Sequence, residues 1–464
     1  MKLSLTSLVA GVASVAAFSI PHAPRGFGFD LQPRQNGSCE NTPTSRQCWG
    51  EHSIDTNYYR VVPETGNTVE KWLSIEQGPC APDGYNRTCM TINGTMPGPT
   101  IIADWGDNLI LHVTNNLPDN GTAIHWHGLH QFSSVVHDGV PGITQCAIAP
   151  GTSMTYRFRV TQYGSTWYHS HFSLQYGEGI FGGMIFNGPA TADYDEDLGM
   201  LFLQDWGHVE TFTLWEIAKQ GGPPRLNNGL INGTNTFNCS SLAEPDPRCT
   251  DAGRKFETVF EAGKKYRIRL VNVATDGVFQ FSIDGHSLQV IANDLVPIVP
   301  YTTDSVQLTE GQRYDVIVEA NADPGSDYWI RAGWVSTCMM NDNPGDMTGI
   351  LRYDNSSTAD PTSTSTVTPS EHCLDEPLAS LVPHLAIEVT NAPNITLEQL
   401  NFEFTNQFRW TINTSSLLID WGNPTMRQIF NGDSLFPTEY NVVAVEVGYT
   451  HLQRYLCCCC NNTN

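Results

Sequence analysis

Two His-x-His pairs have the residue type and spacing of metal ligands: His125-Trp126-His127 and His169-Ser170-His171. In a β-strand, side chains at i and i+2 project from the same face, about 7 Å apart. Each pair would therefore present two imidazoles to one cavity. Because metal–nitrogen bonds are only about 2 Å long, neighbouring histidines of a strand suit adjacent ions rather than one. The pairs predict part of a multinuclear metal centre, although imidazole binds zinc, copper, iron and nickel alike.

The alternative for such a pair is an ordinary surface or packing position, which is the more common outcome for a single His-x-His. Two pairs flanked by Trp126, Trp167 and Tyr168 are much harder to explain in that way. Of the ten histidines outside the pairs, eight are expected to be ordinary surface or core residues: His52, His112, His130, His137, His208, His286, His372 and His384.

Short β-type runs separated by Gly, Pro, Asn and Asp must position these histidines, and no long amphipathic helix is convincing. The composition therefore predicts an all-β sandwich architecture. Two strand-like stretches recur with similar neighbours, since Leu109–Asn115 resembles Tyr266–Asn272 and Tyr156–Val160 resembles Tyr314–Val318. This self-similarity predicts tandem, duplicated sandwiches.

A length of 464 residues suits about three domains. We expect the following organisation: a signal peptide at 1–20, a pro-segment and amino-terminal extension at 21–49, a first sandwich at 50–189, a second at 190–355, a Ser/Thr/Pro-rich linker at 356–376, a partial third sandwich at 377–447 and an aberrant tail at 448–464. Within the partial unit, 408–412 and 440–447 have the composition of strands.

Charge and the amino-terminal segment both favour a secreted protein. The 24 basic residues face 48 acidic ones, giving a net charge of −24, which argues against nucleic-acid or anionic-membrane partners. Lys2 precedes an apolar run from Leu3 to Phe18, as in a signal peptide. Several glycosylation acceptors are expected to be used among Asn36, Asn86, Asn93, Asn120, Asn232, Asn238, Asn355, Asn394 and Asn413.

Cysteines should be mostly paired in an oxidising compartment. Four of the 13 are consecutive, Cys457 to Cys460. Among the others, close spacing suggests the pairs Cys39–Cys48, Cys80–Cys89 and Cys239–Cys249, while Cys338 and Cys373 could close a longer loop. Connectivity cannot be proved from spacing. Cys146 is left without a partner.

Several motifs resemble the two amino-terminal copper motifs of multicopper oxidases, in the form found in ascomycete laccases: Ile124–Gly128, Ser165–Phe172 and Gln175–Gly179. The likeness runs from about residue 39 to 447. The resemblance implies tandem cupredoxin-like Greek-key sandwiches and one-electron oxidation of phenols or diphenols, coupled to reduction of dioxygen to water. It also implies copper, with His125 at the type 2 ion and His127, His169 and His171 at the type 3 pair.

The resemblance assigns roles to two carboxylates as well. Asp138 matches the acid near the type 2 copper that helps to deliver protons, and Asp276 matches the carboxylate that accepts the phenol proton. Either could instead be a turn residue before glycine. The resemblance further implies the disulfides Cys39–Cys48 and Cys338–Cys373, and pairs the equivalent of Cys146 with a cysteine near the carboxy terminus.

The chain departs from the family after Val447. The two carboxy-terminal motifs, His-Pro-x-His-x-His and His-Cys-His, do not occur, and with them the type 1 copper ligands are missing. We expect a monomeric laccase-like oxidase that is inactive as written, with a read-through or frameshifted end. Two rival hypotheses are a non-catalytic secreted glycoprotein and a related oxidase of metal ions or ascorbate.

Overall fold

A computed structural model describes residues 39–221, 225–387, 395–405, 409–433, 435–442 and 450–457. The expected signal peptide and most of the amino-terminal extension lie outside these ranges. The described residues form a strand-rich structure, so the all-β prediction is confirmed. No helix in these ranges is both long and apolar enough to cross a membrane.

The first pair of sheets holds the histidines. After a short hairpin of β1 (Cys48–Trp49) and β2 (His52–Ser53), its strands are β3 (Thr68–Cys80), β4 (Arg87–Ile92), β5 (Gly98–Asp104), β6 (Asn108–Asn115), β7 (Ile124–Trp126), β8 (Ser153–Arg159), β9 (Gly164–Ser170) and β10 (Phe181–Asn187). The strand orders are β4-β3-β6-β8 and β5-β10-β9-β7. Two 3-10 turns, Val135–His137 and Gln175–Glu178, lie in the connections.

The second pair of sheets is larger. Its strands are β11 (Glu196–Trp206), β12 (Asn228–Ile231), β13 (Phe256–Val259), β14 (Lys265–Asn272), β15 (Phe279–Ile283), β16 (Leu288–Asn293), β17 (Val296–Thr303), β18 (Val306–Leu308), β19 (Arg313–Glu319), β20 (Tyr328–Trp334) and β21 (Thr348–Arg352). The orders are β12-β11-β14-β19-β16-β17 and β13-β21-β20-β15-β18. This part also has a 3-10 turn, Cys239–Ser241, and a helix that the sequence reading missed, α1 (Thr211–Gly221).

The remaining described residues form a three-stranded sheet, β22 (Ile395–Thr405), β23 (Arg409–Ile412) and β24 (Thr450–Cys457), in the order β23-β22-β24. A short helix, α2 (Thr425–Phe430), and a 3-10 turn, Thr438–Tyr440, accompany it. The prediction of a strand at 440–447 is wrong at its start, because Tyr440 ends the 3-10 turn. Residues 443–447 of that predicted strand lie outside the described ranges. The strand expected at 408–412 is present from Arg409.

The two sheet pairs repeat one topology. In the first pair, the central strand β6 pairs parallel with β3 and antiparallel with β8. In the second pair, the central strand β14 pairs parallel with β11 and antiparallel with β19. Both central strands end in a fully buried asparagine, Asn115 and Asn272. Each side-chain oxygen accepts from the backbone N–H two residues ahead (2.9 and 2.8 Å), and each side-chain nitrogen donates to the carbonyl five residues ahead (2.8 and 2.7 Å). The duplication predicted from sequence is therefore visible in matching side-chain contacts.

A third hydrophobic cluster joins the two sheet pairs and matters for the site. Trp167 of β9 and Phe181 of β10 pack there against Phe202 and Val271 of the second pair. Because its two faces are covered by different cores, β9 is buried at every position from Gly164 to Ser170. Alternate residues of β9 thus face the core of the first sheet pair and the junction with the second.

The expected linker, 356–376, has no strand or helix in the structure, in keeping with its composition, but it is held against the second sheet pair. Ser363 donates to the Asp284 carboxylate (2.9 Å), and Gln307 donates to the His372 carbonyl oxygen (2.9 Å). The disulfide between Cys338 and Cys373 adds a covalent tie. This segment is therefore packed rather than extended into solvent.

The other cysteines partly follow the spacing. The structure pairs Cys39 with Cys48 and Cys239 with Cys249, and it leaves Cys146 free and exposed. The suggested pair Cys80–Cys89 is wrong, since both are free thiols. The register of β3 and β4 gives the reason: Cys80 lies opposite Arg87 and Cys89 opposite Gly78, so the two cysteines are diagonal neighbours.

Replacing either buried asparagine should destabilise the sheet pair that contains it. Asn115→Ala and Asn272→Ala each remove three hydrogen bonds to backbone groups, so we expect each to lower the free energy of unfolding by at least about 2 kcal/mol. Urea denaturation measures this. Asn108→Ala, at the exposed start of β6, is the control and should change stability by no more than about 0.5 kcal/mol. Equal midpoints for all three variants would contradict the proposed role.

Candidate metal centre

The pairing of β7 with β9 brings the two His-x-His pairs together. His125 lies directly opposite His169 in this antiparallel ladder, and Trp126 lies opposite Tyr168. Since faces alternate along a strand, the tryptophan and the tyrosine point into the core, where both are fully buried. His127 and His171 follow just after the strands. The four histidines singled out from sequence therefore share one side of the sheet.

The four imidazoles are close enough to act as one centre. Ring centroids of His125 lie 5.8, 5.5 and 5.4 Å from those of His127, His169 and His171. The Nδ1 atom of His127 lies 3.2 Å from Nε2 of His169. The candidate ligand atoms of His125, His127 and His169 all fall within 4.8 Å of one another. Ring nitrogens that face one another at this range are arranged to share metal ions.

Backbone carbonyls fix which nitrogen of two rings is free. Nδ1 of His125 lies 2.7 Å from the carbonyl oxygen of Asp138, and Nδ1 of His169 lies 3.0 Å from that of Ser170. A carbonyl only accepts, so Nδ1 carries the proton in both rings and donates it. Nε2 is then unprotonated and available to a metal, which is the usual arrangement around metal-binding histidines.

Burial favours the neutral form of these rings. It lowers the pKa of His169 well below its ordinary value, with further contributions from His125 and His127. It also lowers the pKa of His127 to about 3, reinforced by the positive charge of Arg313. Metal ions bind neutral imidazole, so the environment holds these ligands in the form that binds metal.

Gln175 holds the second histidine strand in place, and sequence reasoning gave it no role beyond its motif. Its side-chain oxygen accepts from Ser170 (2.7 Å) and Thr122 (2.8 Å), and its side-chain nitrogen donates to the Gly121 carbonyl oxygen (2.8 Å). Because Ser170 lies between His169 and His171, this fully buried amide fixes the end of β9 beside β7. A polar residue within a motif of small and aromatic residues was the available signal.

Asp138 lies in a turn before glycine and also beside one of the four histidines. It ends the 3-10 turn Val135–His137, and its carboxylate oxygen lies 3.4 Å from Nδ1 of His125. The following residue, Gly139, has φ of +84°, and a Cβ there would lie 1.7 Å from the carbonyl oxygen of Ile124. Only glycine allows the turn to pack this closely on β7, which is how the acid reaches the histidine.

Aromatic rings separate the histidines from the second sheet pair. The indole of Trp167 stacks on His169 with centroids 4.1 Å apart, and Tyr176 lies 5.6 Å from the same ring. Both side chains belong to or pack against the cluster that joins the sheet pairs. They form an apolar wall that keeps water from this side of His169.

Asp276 is not among the histidines; it belongs to a separate group of acids with Asp205 and Glu310. Both oxygens of the buried Asp205 are used, since the backbone N–H groups of Thr275 and Asp276 and the Thr275 hydroxyl donate to them. Burial, then the charges of Asp205 and Glu310, raises the pKa of Asp276 to about 7. Burial also raises the pKa values of Asp205 and Glu310.

Comparison with known proteins decides the family. Two family models described as Multicopper oxidase match residues 74–191 and 197–356. Laccase-2 of Botryotinia fuckeliana is 60% identical over 449 residues, covering 96% of this chain and 76% of that protein. The chain belongs to the multicopper oxidase family. The crystal structure of the laccase from Botrytis aclada matches this multicopper oxidase with a TM-score of 0.85 and 60% identity, over 90% of this chain and 77% of that one.

A more distant structure is Fet3p, described as a multicopper oxidase that functions in iron import. It matches with a TM-score of 0.66 and 26% identity, over 78% of this chain and 66% of that one. The close relatives show that this multicopper oxidase is a laccase-type, copper-dependent oxidoreductase, and the laccase family implies dioxygen and phenols as substrates. The histidine centre fits copper, because neutral imidazole is one of its preferred donors and His127 and His169 turn ring nitrogens towards each other.

The raised pKa of Asp276 predicts that the folding stability of this multicopper oxidase depends on pH. The folded carboxyl holds its proton to about pH 7, whereas in the unfolded chain it releases it near pH 4. Folding stability should therefore fall as pH rises from about 4 to 7. Asp276→Asn removes this penalty, so thermal scans should show the variant more stable at pH 8, by roughly 1 kcal/mol after solvent screening.

At pH 4 the Asp276→Asn variant and the parent should unfold at nearly the same temperature. Asp360→Asn, at an exposed position of the linker, is the matched control and should leave the pH profile unchanged. A difference between Asp276→Asn and the parent that is constant from pH 4 to 8 would show that the acid group does not set the profile.

Proposed function

We propose that His125, His127, His169 and His171 form the amino-terminal half of the copper centre at which dioxygen is reduced, His125 at the type 2 ion and the other three at the type 3 pair. The observation that carries this is the arrangement of the rings: His125 and His169 each donate Nδ1–H to a carbonyl, and His127 directs Nδ1 towards Nε2 of His169. Four rings on two paired strands can hold more than one ion.

Copper, when bound, would supply the one-electron steps that link phenol oxidation to the four-electron reduction of dioxygen. The protein supplies the surroundings. Its carbonyls orient two rings, Trp167 and Tyr176 exclude water from one side of His169, and Gln175 fixes the strand end. The Asp138 carboxylate, 3.4 Å from His125, is placed to hold a proton beside the centre. These contacts position the ligands before any metal arrives.

Asp276 is our candidate for the group that accepts the phenol proton. A general base works best when its pKa is near the operating pH, and burial with two neighbouring acids raises the pKa of Asp276 to about 7. A base of that strength can take a proton as an electron leaves the phenol and release it again near neutral pH. The substrate-side assignment rests on the family resemblance and on this environment.

Turnover also needs a type 1 copper to take electrons from the phenol, and the 464 residues contain no His-Cys-His motif to bind one. We therefore propose that this chain by itself binds copper but does not oxidise phenols. We further propose that it is secreted as a glycoprotein, on the basis of the apolar segment after Lys2 and the glycosylation acceptors between Asn36 and Asn413, and that it is a monomer.

The cluster of three acids, Asp205, Asp276 and Glu310, is the observation that supports the alternative of a metal-ion oxidase. Asp205, Asp276 and Glu310 lie together, as a cation-oxidising site would require, and Fet3p has a related fold. Two observations favour the phenol assignment instead. Asp205 already accepts three donors, and Asp276 keeps its proton up to about pH 7, a form that attracts cations poorly.

Copper content tests the histidine assignment and the non-catalytic alternative together. After copper loading and dialysis, we expect His127→Ala and His169→Ala to lose at least half of the copper bound per chain, because each substitution removes a shared ligand. His372→Ala, an exposed histidine of the linker, is the control and should bind as much as the parent. If the parent itself binds no copper, the chain is better explained as a non-catalytic glycoprotein.

Oxygen consumption tests the proposed lack of turnover. With a phenol, ferrous iron or ascorbate, we expect the copper-loaded chain to consume no oxygen above the uncatalysed rate, and to lack the intense absorption of a thiolate-ligated blue copper site. Consumption with the phenol would show that the missing motif is not required. Consumption with iron or ascorbate alone would instead favour the metal-ion or ascorbate oxidase.

A further inference from the structure

The ends of β3 and β4 bring two free thiols to one face of a sheet. Cys80 lies opposite Arg87, two residues before Cys89 on the partner strand, so both cysteines and the arginine project to the same side. Cys89 lies opposite Gly78, which has no side chain to fill the space beside it. Both thiols are at least partly buried, whereas Cys146, the third free thiol in the described part of the chain, is exposed.

A sulfur-rich cavity lies next to this pair. Its volume is about 350 Å³, and Cys80, Cys89 and Met96 all line it. Cys89 packs with Trp206 and Leu230 in a small buried cluster, against which Cys80 and Met96 also pack. Two thiols and a thioether therefore meet at a space large enough to admit an ion.

Arg87 provides unused hydrogen-bond donors at the same place. Its side chain is 4% exposed, its Nη2 lies 3.1 Å from Glu178, and its guanidinium lies over the Trp206 ring at 4.0 Å. Among the described residues, its Nε and Nη1 have no hydrogen-bond partner. Buried donors without partners favour a further hydrogen-bond acceptor nearby.

We propose that Cys80, Cys89 and Met96 bind a monovalent copper ion, Cu(I), at a site separate from the histidine centre. Thiolate and thioether sulfurs are soft ligands and select Cu(I), whereas a structural zinc site needs a fourth ligand. Binding would release the thiol protons to solvent. Two thiolates and one Cu(I) carry a net charge of −1, and the Nε and Nη1 donors of Arg87 can hydrogen-bond to that charge.

The sulfur site is close to the histidine centre but chemically distinct from it. Met96 also packs against the cluster that contains Trp167, and the indole of Trp167 stacks on His169. One layer of side chains thus separates sulfur ligands from imidazole ligands. The inference does not depend on the oxidase assignment, since it uses none of the four histidines.

Thiol protection tests the site in the unaltered protein. The secreted protein is alkylated under mild reductant, with and without Cu(I) added as its acetonitrile complex, and peptides are compared by mass spectrometry. We expect Cu(I) to protect Cys80 and Cys89 at least tenfold and to leave Cys146 reactive. Equal alkylation of Cys80 and Cys89 with and without Cu(I) would overturn the proposal, as would a Cys80–Cys89 disulfide that persists in this reductant.

Variants then identify the ligands. The four consecutive cysteines, Cys457 to Cys460, would compete for Cu(I), so the parent for this series has all four replaced by serine. We expect Cys80→Ser and Cys89→Ser to abolish the ultraviolet thiolate-to-Cu(I) absorption, and Met96→Leu to weaken Cu(I) affinity by roughly tenfold or more. Met90→Leu is the matched control, since Met90 lies on the opposite face of β4, in the core of the first sheet pair.

Circular dichroism establishes that each variant is folded before the Cu(I) titration is interpreted. If Cys80→Ser and Cys89→Ser both fold and still give the parent's absorption and affinity, the sulfur site does not exist. If Met90→Leu weakens binding as much as Met96→Leu does, Met96 is not a ligand and the three-sulfur assignment is wrong.

Discussion

Backbone hydrogen bonds between β7 and β9 set His125 opposite His169, and the rest of the site depends on that register. A slip of one residue would turn every side chain to the other face. Trp126 and Tyr168 would then enter the histidine centre, and the imidazoles would be buried in an apolar core. Gln175, the turn around Gly139 and the cluster at Trp167 all act on these two strands. Each helps to prevent the slip.

The duplicated sheet pair shows what the same geometry does without histidines. β15 and β20 occupy the places of β7 and β9 in the strand order, and there Phe279 lies opposite Trp334. Their rings pack edge to face, 5.5 Å apart, inside the second core. The asparagine at the end of each central strand is common to both copies. The fold therefore belongs to both sheet pairs, whereas the metal chemistry is carried by side chains of only one.

Local periodicity explains what could be predicted from sequence. The paired histidines were predictable because a spacing of two residues fixes a shared face, and the duplicated strands because alternation recurs. The partners of Gln175 and of the Asp138 carbonyl are distant in sequence, so no local pattern identifies those contacts. The suggested disulfide Cys80–Cys89 was wrong because close spacing in the sequence does not reveal the register of the two paired strands. The helix Thr211–Gly221 was missed because only Leu214 and Ala218 of its short length are buried.

Two buried polar sites of opposite character lie on either side of Tyr176. At the histidines, carbonyls accept the Nδ1 protons of His125 and His169 and burial keeps the His169 ring neutral, so its Nε2 lone pair suits a cation. At the acids, burial, then the charges of Asp205 and Glu310, raises the pKa of Asp276, which keeps its proton to near neutral pH. The ring of Tyr176 lies 5.6 Å from that of His169, and burial, then the charges of the acids, raises the pKa of its hydroxyl. Metal-binding and proton-accepting groups can therefore be buried close together, because an apolar side chain keeps each from neutralising the other.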